Sequence, residues 1–118
     1  MSYYEGFVLA VPAANKEVYV AQAQMAWDTM FKGMGALSHM EAWGDDVPDG
    51  EVTSFPMAVK KKDDEVVVFS WIEWPNKATR DAGWKKMQEM GPDAMGEMCF
   101  DGKRMIYGGF VPILTERA

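Results

Sequence analysis

His39 and Glu41 stand two residues apart in the stretch Leu37-Ser38-His39-Met40-Glu41. In an extended chain that spacing places both side chains on one face. An imidazole beside a carboxylate is the arrangement of a base with an acid to orient it, although two polar residues at an exposed strand edge would show the same spacing. Glu41 and Asp46 are the acid–base candidates, and Arg104 is the candidate holder of an anion or oxyanion. The same arginine could instead be a structural bridge to a carboxylate such as Asp46 or Glu41. Trp71, Tyr107, Trp27 and His39 are the candidate ligand-binding residues, because aromatic rings over a few placed polar groups suit a planar ligand as well as a packed core.

Other constellations point elsewhere and carry less. Gly44-Asp45-Asp46-Val47-Pro48-Asp49-Gly50 gathers three carboxylates, but a calcium loop beginning at Asp45 needs an oxygen ligand where Val47 stands and a glutamate where Pro56 stands. A solvated turn is expected, and no metal site. Met87, Met90, Met95, Met98 and Met105 cluster late in the chain and could hold Cu(I) with Cys99 and His39, yet methionine more often fills an adaptable pocket wall. Gly33-Met34-Gly35 imitates part of a dinucleotide fingerprint, but it follows a helix where the fingerprint should open one. No motif calls for a cofactor.

Composition narrows the field further. The chain has 118 residues, 48% of them hydrophobic and 25% charged, which suits one domain with a real core (residues 1–118) and excludes a wholly disordered chain. A net charge of −6 opposes nucleic-acid binding, and the one dense basic cluster, Lys60-Lys61-Lys62, is cancelled at once by Asp63-Asp64-Glu65. The single cysteine forbids an internal disulfide, and the single histidine forbids a His-His metal site. No apolar run approaches the roughly 20 residues of a membrane span, and no signal sequence opens the chain, so a soluble cytoplasmic protein is expected.

The elements that must position the candidates follow from periodicity. Tyr3 to Val11 alternates as a strand ended by Pro12. A helix capped at Asn15 is expected to run to about Phe31 and close at Gly33 or Gly35, with apolar residues on two faces and hence two neighbours. Ala36 to Gly44 reads as a second strand. The long loop 45–65 calls for an element of its own, which Ser54-Phe55-Pro56 could start. Val66 to Trp74 is a third strand with both faces apolar, Lys77 to Met90 a second long helix, and Asp93 to Met98 a short Met-rich one. The last strand begins after Asp101-Gly102 and is expected to continue to Leu114. Its paired glycines, Gly108 and Gly109, suggest a bulge or a group lying close to the backbone.

The order is β-α-β-β-α-β, a ferredoxin-like α+β domain with a four-stranded antiparallel sheet and helices on one face. Apolar side chains on the other face require a cover, and a second copy packing sheet to sheet is the simplest one.

Several segments carry a resemblance that spans nearly the whole chain. They are Tyr3-x-x-Gly6-Phe7, Gly35-Ala36-Leu37, Gly44-Asp45-Asp46-Val47-Pro48, Thr53-Ser54-Phe55-Pro56, Asp64-Glu65-Val66-Val67-Val68-Phe69-Ser70-Trp71-Ile72, Arg80-Asp81 and the run from Phe100 to Phe110. In these the chain resembles the DUF1428 family of small bacterial proteins. The resemblance implies the dimeric α/β barrel of the ferredoxin-like superfamily and no established activity. The family pattern carries an aromatic residue where His39 stands, a cysteine at Ala42 and an asparagine at Trp84. Together these readings lead to a homodimer binding a small molecule between sheet and helices, oxygenase- or isomerase-like if it catalyses. The alternative is a non-catalytic dimer that acts through protein interactions.

Overall fold

The computed structural model describes residues 1–91 and 96–118. Strand β1 (Tyr3–Pro12) leads through a 3-10 turn into helix α1 (Lys16–Ala26), which continues as a π-turn over Trp27–Phe31. Strand β2 (Ser38–Trp43), the short helix α2 (Phe55–Ala58), strand β3 (Glu65–Trp74), helix α3 (Lys77–Glu89) and strand β4 (Ile106–Phe110) complete the chain. The strands form one sheet in the order β2-β3-β1-β4, every neighbour antiparallel. This is the ferredoxin-like α+β fold, with the two long central strands shielded by shorter edges.

Local chemistry explains most boundaries. The Asn76 side chain accepts from Thr79 N at 2.8 Å and the Ser54 hydroxyl from Met57 N at 3.1 Å, so α3 and α2 both begin on side-chain caps. Asn15 precedes α1 without capping it. Its amide reaches across to donate to Cys99 O at 2.8 Å, tying the start of α1 to the segment before β4. The π-turn is closed by Lys32 N donating to Trp27 O at 3.1 Å, and it carries the buried Met30 and Phe31. Gly35, with φ +100°, supplies the left-handed residue that stops the helix before β2.

Residue parity sorts the sheet into two faces. Tyr3, Glu5, Phe7, Leu9 and Val11 of β1 pair with Trp74, Ile72, Ser70, Val68 and Val66 of β3, and all look toward the helices. His39, Glu41 and Trp43 join them from β2, and Tyr107 and Gly109 from β4. The core on this side has two parts. One gathers Tyr3, Ala26, Met30, Phe31, Ile72, Trp74 and Met87, and the other Leu9, Val11, Tyr19 and Val68.

The opposite face is partly roofed. Val59, just after α2, packs on Ala10 and Val67, and Phe55 lies 6.3 Å from the Phe69 ring. Beyond that roof Phe69, Ile106 and Phe110 remain 43%, 45% and 60% exposed, so the expected burial of both faces of β3 holds for Val67 and not for Phe69. The stripe Val18, Ala21, Met25 of α1 is also exposed, which leaves one of that helix's two apolar faces without a neighbour.

Strand β4 ends at Phe110 rather than at Leu114, and residues 113–118 are exposed. The glycine pair carries no bulge, since the ladder from Tyr107 to Phe110 is unbroken against β1. Close approach is the reason for Gly109: a methyl there would collide with the Tyr3 hydroxyl and the Arg80 guanidinium. The Met-rich helix expected from Asp93 lies partly outside the described residues, and Gly96 to Met98 are not helical.

Candidate functional site

Between the two parts of the core lies a cavity of about 250 Å³. Phe7, Leu9 and Ile72 of the sheet, Ala23 and Ala26 of α1, Phe31 of the π-turn and Trp84 and Met87 of α3 form most of its wall. Met98, Phe100 and Met105 complete it from the segment leading into β4. The polar lining residues are few: Tyr19, Gln22, His39, Glu41 and Ser70. Gln22 is engaged elsewhere, donating to Glu97 O at 2.7 Å and accepting from the Cys99 thiol at 3.3 Å.

The other four form a single network centred on Glu41. Register places Glu41 opposite Ser70, and the Ser70 hydroxyl donates to Glu41 Oε2 at 2.8 Å. Tyr19 reaches down from α1 and donates its phenolic hydrogen to Oε1 at 2.5 Å. His39 Nε2 lies 2.6 Å from Oε2, as the two-residue spacing on β2 requires. Burial, and then the adjacent Glu41 charge, push the Tyr19 phenol far above its ordinary range, so it stays a protonated donor. The His39 ring is held between Phe31, edge-on at 5.6 Å, and Trp27 at 6.3 Å.

A second carboxylate lies in the same layer. Glu5 is 5% exposed and accepts from the Trp74 indole at 2.8 Å and from the Trp84 indole at 2.6 and 2.7 Å. Arg80 Nε lies 3.7 Å from Glu5 and is the one fully buried side-chain donor without a hydrogen-bond partner among the described residues. Glu5 therefore fixes the Trp84 indole that forms part of the cavity wall.

Comparison with known proteins places this architecture. A family model described as a protein of unknown function, DUF1428, matches residues 2–102. The chain belongs to the DUF1428 family. It is 53% identical over 120 residues to the uncharacterised protein YbaA of Escherichia coli K12, covering 98% of this chain and 100% of the relative, and equally similar to YbaA of Shigella flexneri. Among solved structures it resembles a dimeric ferredoxin-like protein from an uncultured marine organism, with a TM-score of 0.58 at 9% identity and full coverage of both chains. That likeness bears on the fold alone.

In this DUF1428 chain the residues singled out from the sequence fall in different places. Glu41 and His39 meet in the cavity, and Trp27 backs the His39 ring. Asp46 is exposed in the loop after β2. Trp71 is on the opposite sheet face, edge-on to Phe69 at 5.7 Å. Tyr107 shares a cross-strand row with Glu41, Ser70 and Phe7, but it stands on the far edge strand and is 72% exposed. Three strand spacings, roughly 14 Å, separate its backbone from that of Glu41.

Arg104 sits in the 3-10 turn Gly102–Arg104 ahead of β4, and its partner is Glu65 rather than Asp46 or Glu41. Its Nη1 and Nη2 donate to the two Glu65 oxygens at 2.8 and 2.6 Å, its Nε to Asp101 at 3.0 Å, and Nη1 also to Lys60 O at 2.9 Å. The fork closes a clasp between the turn before β4 and the first residue of β3. The Arg104 hydrogen bonds, ahead of any other influence, hold the Glu65 carboxyl down at about 2.

Met87, Met98 and Met105 line the cavity, Met90 is exposed, and Met95 lies outside the described residues. Among the described residues no three His, Cys, Asp or Glu side chains gather as a metal site, and no helix is long and apolar enough to cross a membrane. Burial raises the Cys99 thiol, which keeps it a neutral donor to Gln22.

Sequence reasoning missed Tyr19 and Ser70. Ser70 carried a signal, a hydroxyl at an inward position between Val68 and Ile72, where apolar residues are otherwise the rule. Tyr19 carried a weaker one, the only hydroxyl in the sequence from Lys16 to Ala26.

Proposed function

We propose that the protein is a homodimer that binds a small, largely apolar molecule in the cavity between sheet and helices. The observation that carries this reading is the concentration of the cavity's polarity at Glu41, with its three donors, inside walls of Phe7, Leu9, Phe31, Ile72, Trp84 and Met87. Apolar walls with a few convergent polar groups are what a binding site requires. The His39 and Glu41 pair suits proton transfer, so an isomerase-like or oxygenase-like activity is the reading for catalysis. Glu41 is its central carboxylate. Asp46 and Arg104 lie outside the described lining of the cavity, which gives them a subordinate place in it.

The dimer is supported by the exposed apolar strip of Phe69, Ile106 and Phe110, which continues past the α2 roof. A second sheet laid on that strip would cover it, and the similarly folded marine protein is described as dimeric.

A second reading, a non-catalytic dimer acting through protein contacts, is favoured by the position of Trp71 and Tyr107 on outer surfaces and by the Arg104 clasp. Native mass spectrometry followed by a thermal-shift screen of small neutral metabolites separates the two. A dimer stabilised by one class of compound, with the response lost in Glu41→Gln, supports the binding site. A dimer with no response in any class supports the interaction protein, and a monomer at micromolar concentration contradicts both.

A further inference from the structure

Resting on the cavity as a binding site, we infer that its ligand is an uncharged, ring-sized molecule bearing one hydroxyl group, a phenol in its simplest form, whose hydroxyl donates to Nδ1 of His39. Three observations lead there.

The first is size. About 250 Å³ falls below the roughly 300–1,000 Å³ of pockets for drug-sized ligands, which leaves room for one ring and a few substituent atoms.

The second is charge. Among the described residues no lysine or arginine lines the cavity, and its carboxylate is that of Glu41. A carboxylate or phosphate ligand would be a buried anion beside another anion, with no cation to offset it. An ammonium ligand fares little better. It brings three N–H donors, whereas Glu41 already accepts from Tyr19, Ser70 and His39.

The third is an uncommitted acceptor. A carboxylate already serving two hydroxyl donors accepts from Nε2–H, which fixes the neutral imidazole as the tautomer with its lone pair on Nδ1. Nδ1 has no hydrogen bond among the described residues, yet it is not one of the sealed, partnerless atoms. One acceptor, unsealed and unused on a residue that lines an apolar cavity, selects for one donor on the ligand. Glu41 already serves three donors, so the ligand's hydroxyl meets His39 while Glu41 orients the ring. Phe31 and Trp84, with centroids 6.4 Å apart, offer aromatic surface for the ligand's own ring.

His39 is the only histidine in the chain, so ¹⁵N-histidine labelling gives one imidazole to follow. Phenol, toluene, benzoate and benzylammonium are titrated in turn. Expected are a Nδ1 shift with phenol and none with toluene, and phenol bound more tightly than toluene on the order of tenfold, the worth of one hydrogen bond. The preference should vanish in His39→Phe, with the backbone spectrum of that variant confirming its fold. Equal affinity for toluene and phenol, an unmoved Nδ1, or tighter binding of either charged probe overturns the hydroxyl assignment while the cavity stands as a binding site. If none of the four binds, the cavity reading and this inference fall together.

Discussion

Tyr19 on helix α1 and Glu41 on strand β2 are joined by a 2.5 Å hydrogen bond that ties a helix to an edge strand across the cavity. Removing the hydroxyl in Tyr19→Phe takes away one of three donors to a largely buried carboxylate and leaves the ring in place. The expected loss of stability is about 1–3 kcal/mol, read by urea denaturation. The same pair sets an alkaline behaviour. Burial and the Glu41 charge hold the folded phenol above its ordinary value of 10.0, so the unfolded chain releases this proton first and stability falls as pH rises past that value. Absorbance titration should show a tyrosine that ionises only with the alkaline unfolding transition, and that late component should be absent from Tyr19→Phe.

Glu41→Leu tests the network from its centre. The Tyr19 and Ser70 hydroxyls would lose their shared acceptor inside the core, costing about 2–4 kcal/mol for two stranded donors. Glu41→Gln, which keeps an acceptor oxygen, should cost clearly less. Equal melting temperatures for the two variants would show that the carboxylate's hydrogen bonds contribute nothing to the fold.

The clasp of Arg104 on Glu65 predicts an acid limb. Because Glu65 titrates at about 2 when folded and near 4.5 when not, the clasp's stabilisation is fully present above pH 4.5 and is lost as pH falls toward 2. Arg104→Met should lower the melting temperature by several degrees at neutral pH and flatten the decline between pH 4.5 and 2. Arg104→Lys should restore little, since an ammonium cannot span both carboxylate oxygens. Ligand binding in the cavity should survive both changes.

Gly109 should tolerate no side chain. In Gly109→Ala the added methyl meets the Tyr3 hydroxyl and the Arg80 guanidinium, and the overpacking should cost about 1–3 kcal/mol by denaturant unfolding. Gly91→Ala, where no atom lies within 4 Å of the added methyl, tests a different cost, the left-handed backbone at φ +91°.

Phe69→Lys with Phe110→Lys places two cations on the exposed sheet face. Light scattering should then report the 13.3 kDa chain mass in place of twice that value. An unchanged dimer would move the interface elsewhere, with the Val18, Ala21, Met25 stripe of α1 the next surface to test.

Alternation and punctuation in the sequence were enough to determine the order of elements, the parity of each strand and the pairing of His39 with Glu41, because a strand's two-residue period and a helix's start signals are local properties. The partners were another matter. Register across β2 and β3 chose Ser70 for Glu41, the rise of α1 over the sheet chose Tyr19, and the return of the loop before β3 chose Glu65 for Arg104. These contacts join residues 22 to 39 positions apart, and no spacing rule covers that range. Only the tertiary structure could decide them, since the free energy of each bond depends on which buried group would otherwise stay unpaired.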